Sequence, residues 1–253
     1  MHFLSSFVFS LLLSTSTAAY ADSTQAVSVT LPNQNVVLNY SQPVRLEQVI
    51  LDANAQVNFY SLGAVLSDNQ LQKDTDNLLN NSIEQLSSLS REISLFSANN
   101  EFKRSATQII SQLEHHTFVG RIFSPLDLDL IRINETLNPI LNADYQLFVH
   151  PRPTSVSFFG AIDSESSISV PFIEHARIDD YLDSLPLPAT ADTSTIYVIQ
   201  PDGVVQTTEF SVWQNKPAYL APGASVYIPL GGLPSDFSSL NTSIVQLLRN
   251  KAL

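Results

Sequence analysis

Cysteine is absent from the 253 residues. That absence removes disulfide bridges, thiolate metal sites, a cysteine nucleophile and a lipid-bearing N-terminal cysteine together. Bases are scarce, with 12 Lys and Arg against 24 Asp and Glu and a formal charge of −12. The balance is the reverse of a nucleic-acid binder's basic footprint and of a polybasic grip on anionic lipid. Glycine is sparse too, at 7 residues, and neither a Gly-rich phosphate loop nor a Gly-x-Ser-x-Gly elbow occurs. The histidines beyond the N-terminal segment are His115, His116, His150 and His175, and none has metal-ligand spacing. No metal and no cofactor is expected. Charged residues make up only 14% while hydrophobic ones reach 44%, a composition that builds a core and excludes wholesale disorder. The length allows one large domain or two ordinary ones.

Long apolar runs are also missing. Phe3 to Leu13 is apolar but too short to span a bilayer, and Ala19-Tyr20-Ala21 fits a small-residue cleavage site. Residues 1–21 read as an export signal, although no Lys or Arg precedes the run. An exported chain without cysteine suits a bacterial periplasm, and no transmembrane span is expected in the mature chain.

The remaining chain alternates between strand and helix patterns, the mark of an α+β protein. Val27, Val29 and Leu31 are apolar at every second place, Pro32 to Asn35 breaks the run, and Val36 to Leu38 resumes it, a hairpin signal. Leu46, Val49, Ile50 and Ala53 follow at helical spacing. From about 67 to 116 the chain is rich in Asn, Gln, Ser and Leu. Leu79, Ile83, Leu86 and Ile93 mark one stripe there, and Phe102, Ala106, Ile109 and Leu113 another, with a turn at Asn99-Asn100. The spacing predicts a helical hairpin. Phe118 to Phe123 reads as a strand, Leu137 to Leu141 as a helical turn and Tyr145 to Val149 as a strand.

Pro151-Arg152-Pro153 punctuates the chain, and the pattern then starts again. Ser155 to Gly160 and Ser167 to Phe172 are strands, Ile178, Tyr181 and Leu182 share a helical face, and Ile196 to Ile199 is a strand. Pro201-Asp202-Gly203 is a tight turn. Val204 to Trp213 and Val226 to Leu230 are extended. The first half is longer by about 50 residues, the length of the hairpin, as an insertion into one of two copies requires. After Gly231-Gly232-Leu233-Pro234, the residues Phe237, Leu240, Ile244, Leu247 and Leu248 form an apolar stripe. Asn241 lies on the polar side of this C-terminal amphipathic helix.

Several segments in order then resemble a known family. They are Gly120-Arg121 with Pro125 to Asp129 and Arg132; Arg152-Pro153-Thr154 running into Val156 and Gly160; Ile199 to Gly203; Trp213-Gln214-Asn215; Ala221-Pro222-Gly223; and the final helix. Together they are similar to the GfcC-type periplasmic capsule-biosynthesis proteins. The resemblance implies two β-grasp-like domains in tandem, like the soluble-ligand-binding (SLBB) β-grasp domains of the outer-membrane polysaccharide export channel. On that basis residues 22–152 form the first domain, with the hairpin inserted at about 67–116. Residues 153–232 form the second domain and 233–253 the C-terminal helix. The expected function is that of a periplasmic accessory protein in capsule or exopolysaccharide assembly and export, meeting the polysaccharide or the export channel. The alternative is a periplasmic enzyme that trims or modifies the polysaccharide.

Arg121 is the leading site candidate. It sits in an apolar run, and a buried charge without a partner is costly. Either Asp127 and Asp129 pair with it, or it grips a carboxylate or phosphate through its planar fork. Capsular sugars often carry such acids, which lends weight to the second reading; Arg132 and Arg152 share it. Asp127 and Asp129, two apart in an extended segment, share a face. They are either solvated loop residues or a carboxylate pair for glycosidic chemistry. Trp213 either packs in a core or stacks on a sugar face.

Overall fold

The computed structural model describes residues 26–95, 100–211, 214–215 and 218–252. The expected signal segment 1–21 and Trp213 lie outside the described residues, and the expected turn at Asn99-Asn100 falls at their edge.

The first half opens with the hairpin β1 (Val27–Leu31) and β2 (Val36–Tyr40). Its connection is a single turn of 3-10 helix, closed by Asn35 at a φ of 54°, a left-handed conformation that Asn tolerates better than most residues. β3 (Val44–Arg45) leads into α1 (Leu46–Gln56), which buries Leu46, Val49, Ile50 and Ala53 at the predicted helical spacing. β4 (Val65–Asp68) runs into the long α2 (Asn69–Leu95) and α3 (Asn100–Glu114), and the chain returns as β5 (Arg121–Ile122). α4 (Leu128–Ile133), β6 (Ile140–Leu141) and β7 (Tyr145–Phe148) complete the half.

The second half repeats this order. β8 (Ser155–Gly160) and β9 (Ile168–Pro171) form a hairpin, and α5 (Asp179–Leu182) follows. β10 (Thr195–Ile199) and β11 (Val205–Ser211) are joined by Pro201-Asp202-Gly203. β12 (Gln214–Asn215) and β13 (Ser225–Ile228) precede α6 (Leu240–Arg249). Pro171 is tolerated in β9 because that strand is at the sheet edge.

The two sheets are ordered β2-β1-β7-β4-β5 and β9-β8-β13-β10-β11-β12. Each has one parallel pair at its centre, β1 with β7 and β8 with β13, and antiparallel pairs elsewhere. The correspondence makes β4 and β5 the counterparts of β10 and β11. The helical hairpin therefore occupies the place that the Pro-Asp-Gly turn fills in the second sheet.

The packing departs from this symmetry. One core holds Val27, Val29, Leu31 and the buried face of α1 under the first sheet. The larger core joins the second sheet to α6 and to the hairpin residues Leu86, Leu89, Ala106, Ile109 and Leu113. The hairpin leaves its own sheet and covers the other one. Gln112, fully buried, fixes this docking: its Oε1 accepts from Gly160 N at 2.8 Å, and its Nε2 donates to Gly160 O at 3.2 Å and Ser164 O at 2.9 Å. The stripe Phe237, Leu240, Ile244, Leu247 and Leu248 is buried in the same core.

Four local expectations change. The strand read over Phe118 to Phe123 is confined to Arg121–Ile122, because Val119 N turns away to Asn250 O at 2.9 Å. Leu137 to Leu141 is not a helical turn; a 3-10 turn ends at Leu137 and β6 pairs with β3. Asp127 to Asp129 is not extended but opens α4. Asn241 does not face solvent: its amide grips Leu230, with Oδ1 accepting from Leu230 N at 3.1 Å and Nδ2 donating to Leu230 O at 3.0 Å.

Candidate functional site

A cleft of about 300 Å³ opens where the two sheets and the end of α6 meet. Its position follows from the duplicated topology. β5 ends one sheet, the Pro201-Asp202-Gly203 turn ends a hairpin of the other, and Arg249 is the last residue of α6.

Gly120 sets the approach of β5. A Cβ there would lie 2.6 Å from the backbone of Asp68, Leu71 and Gln72, so only glycine lets the chain pass the start of α2. Gln72 Oε1 then accepts from Gly120 N at 3.0 Å. Arg121 follows with its side chain buried, 8% exposed. Nη2 donates to Pro201 O at 2.7 Å and Nη1 to Arg249 O at 3.1 Å. One guanidinium thus ties together the first sheet, the second sheet's turn and the C-terminal helix. Burial lowers its pKa to about 10; Asp202 raises it and Arg249 lowers it further. It stays cationic at neutral pH.

This geometry replaces the expected ion pair of Arg121 with Asp127 and Asp129: its guanidinium donates to backbone carbonyls. Asp127 is instead the N-cap of α4, with Oδ1 accepting from Asp129 N at 3.0 Å and Leu130 N at 3.1 Å. Its carboxylate still lines the cleft, whereas exposed Asp129 does not. Arg132 pairs with Glu47 at 3.1 Å and lies outside the cleft. Arg152 is exposed and also outside it, though its charge opposes the burial that raises the Tyr60 pKa. The structure brings together Arg121 and Asp127 from the predicted set.

The rest of the lining, including Phe123, Arg249, Asp202 and Gly203, was not among the site candidates of the sequence. Phe123 shares a face with Arg121, as residues two apart do in extended backbone, and is 47% exposed. Arg249 lies over its ring, Cζ 4.2 Å from the centroid, with Arg121 Cζ at 5.6 Å. Asp202 caps its own turn, Oδ1 accepting from Val204 N at 3.0 Å. Gly203 is required twice: its φ is +85°, and a Cβ would come within 2.8 Å of the Phe123 ring. The alternation from Arg121 to Phe123 was legible in the sequence; the arrival of Arg249 was not.

Among the described residues no group of acids and histidines is placed to hold a metal, and no helix is long and apolar enough to cross a membrane. Comparison with known proteins gives two family matches. Residues 23–152 match the model described as capsule biosynthesis GfcC, N-terminal, and residues 166–252 match capsule biosynthesis GfcC C-terminal. The chain is also 30% identical over 142 residues to the uncharacterized protein YjbG of Escherichia coli strain K12. That match spans 55% of this chain and 57% of YjbG. The two models together span most of the sequence, and the chain belongs to the GfcC family of capsule-biosynthesis proteins.

Proposed function

We propose that this is a periplasmic accessory protein of capsule or exopolysaccharide assembly and export, which binds polysaccharide in the cleft between its sheets without cleaving it. The observation that carries this reading is the state of the cleft's acids. Asp127 and Asp202 both line it, and both accept hydrogen bonds from backbone N–H groups that they cap. Each carboxylate is thus engaged by the backbone of its own turn. Glycosidic cleavage needs two carboxyl groups facing the scissile bond from its two sides, whereas these two are directed to their own turns. The apolar lining and the paired arginines suit retention of a ligand instead.

The family supports the polysaccharide role, and the signal pattern of residues 1–21 supports export to the periplasm. The equivalent sheet orders support division into β-grasp-like domains at 22–152 and 153–232, with residues 233–253 as a C-terminal helix that braces both. The outer-membrane export channel, whose SLBB domains the resemblance invokes, is the proposed partner on the delivery side.

The test mixes purified mature protein with the surface polysaccharide of its own source organism. Binding by titration calorimetry, with unchanged polysaccharide length on size-exclusion chromatography, is expected. Shortening of the polysaccharide would establish the trimming enzyme. Absence of binding, together with normal surface polysaccharide in a deletion strain, would overturn the proposal.

A further inference from the structure

The two cleft arginines are not equivalent. Arg121 is buried, and its two terminal nitrogens are bonded to carbonyls. Arg249 is half-buried. Its Nε donates to Gly203 O at 2.8 Å and its Nη1 to Gln246 Oε1 at 2.8 Å, while its guanidinium lies on Phe123. Nη2 has no acceptor among the described residues. A planar fork already fixed at two donors and stacked on a ring loses little freedom when its remaining donors take a ligand. Arg121 supplies part of that fixing, because its Nη1 bond ends on the Arg249 carbonyl.

The rest of the lining restricts what accompanies the anion. Leu62, Leu130 and Val204 stand 38%, 45% and 51% exposed around the same opening, beside Phe123. A fully hydroxylated sugar would leave this apolar surface against hydroxyls or water, whereas an acetyl methyl group covers it. The negative walls at Asp127 and Asp202 confine the favourable position for an anion to the Arg249 side. About 300 Å³ is at the small end of ligand pockets and suits a sugar ring with its substituents.

Resting on the polysaccharide reading above, we propose that Arg249 is the ligand-contacting cation of the cleft and Arg121 its positioning residue. The site takes an acidic sugar unit with an acetyl substituent. The carboxylate meets Nη2 of Arg249, and the methyl group lies against Leu62, Leu130 and Val204.

The experiment titrates the intact mature protein with four probes: hyaluronan tetrasaccharide (acidic and N-acetylated), tetragalacturonate (acidic only), chitotetraose (N-acetylated only) and inorganic phosphate. Hyaluronan tetrasaccharide is expected to bind at least 10-fold tighter than each of the others. Arg249→Gln should remove that preference while chitotetraose binding stays as it was. Arg121→Gln should weaken the acid-over-neutral preference at temperatures where circular dichroism shows it folded, a change that a merely structural role does not produce. Leu130→Ser keeps the backbone N–H that donates to Asp127 Oδ1, and it should narrow the gap between hyaluronan and galacturonate probes. Equal binding of chitotetraose and hyaluronan, or an Arg249→Gln variant that keeps the preference, would overturn the acidic-sugar site while the polysaccharide reading stands. Phosphate binding as tightly as the oligosaccharides would overturn the sugar assignment. If none of the three oligosaccharides binds and the surface polysaccharide of the source organism does not bind either, both this proposal and the polysaccharide reading fail.

Discussion

The two sheets share the order of five strands and differ most at one connection. Between β10 and β11 the chain turns in Pro201-Asp202-Gly203; between β4 and β5 it builds α2 and α3. The cost of closing a loop grows only slowly with its length, so an insertion at a hairpin tip is cheap if the inserted segment buries its own apolar face. Here that face is buried against the sister sheet and α6. The turn is held by Arg121 of the first sheet, and the hairpin is held by Gly160 of the second through Gln112. Each half of the molecule is completed by a piece of the other.

The sharpest way to break this comparison is to remove the helix that both halves share. Truncation after Leu233 deletes Phe237, Leu240, Ile244, Val245, Leu247 and Leu248, all buried. Each large side chain is worth roughly 1.5–3 kcal/mol, against a typical whole stability of about 5–15 kcal/mol. The truncated chain should fail to melt cooperatively or should aggregate, as scanning calorimetry and light scattering would show. An unchanged melting temperature would mean the stripe belongs to a partner.

Next in size is a deletion that joins Asp68 to Arg121 through a Pro-Asp-Gly turn, making the first sheet's connection like the second's. A hairpin that served its own sheet would leave the second half intact. Because its buried residues lie in the second core, hydrogen exchange should instead show protection lost chiefly in β8, β10 and β13. Protection lost only in β1, β4 and β7 would contradict the observed packing.

A single side chain probes the same docking. Gln112→Ala leaves the buried Gly160 amide without its partner and takes a donor from part-buried Ser164 O, while Gly160 O keeps Ile162 N. A buried group left unsatisfied costs about 1–3 kcal/mol, so a loss of about 2–4 kcal/mol is expected in urea denaturation. A loss under about 0.5 kcal/mol, the usual range of a surface substitution, would refute the clamp.

The smallest effect is at Lys251, whose bridge to Phe118 ties the C-terminus back to the first half. Its ammonium is buried near the Phe159 ring, and burial lowers its pKa to about 8. An unfolded lysine holds its proton up to about pH 10.4. Between these values the unfolded chain binds more protons, so this residue makes stability rise with pH from about 8 to about 10.4. Lys251→Met should flatten that rise in thermal melts across the window. An unaltered slope would show that Lys251 titrates as if exposed.

Local pattern made much of the architecture legible. Val27, Val29 and Leu31 could bury one face only as a strand, and Leu46, Val49, Ile50 and Ala53 only as a helix. The repeated order of such segments exposed the duplication. Short segments were misread where a distant partner overrode local preference. Val119 extends toward the C-terminal tail rather than along β5, and Asn241 turns inward because Leu230 offers both a donor and an acceptor. Arg121 was found because a charge in an apolar run demands an explanation. For its partners the sequence offers nearby acids or a bound anion; backbone carbonyls 80 and 128 positions away are visible only in the fold.

The sequence by itself determined the two α+β halves, the inserted helices, the buried C-terminal stripe and an arginine that had to be satisfied. These depend on periodicity and on the cost of burying charge, both local properties. The tertiary structure decided which sheet the hairpin covers and which residues share the cleft. Arg249 lies 128 positions from Arg121 and meets it only because α6 packs on the second sheet and ends beside β5 of the first. Such meetings depend on how apolar faces are shared among elements, and several elements here offer compatible faces. Only their joint packing selects one arrangement.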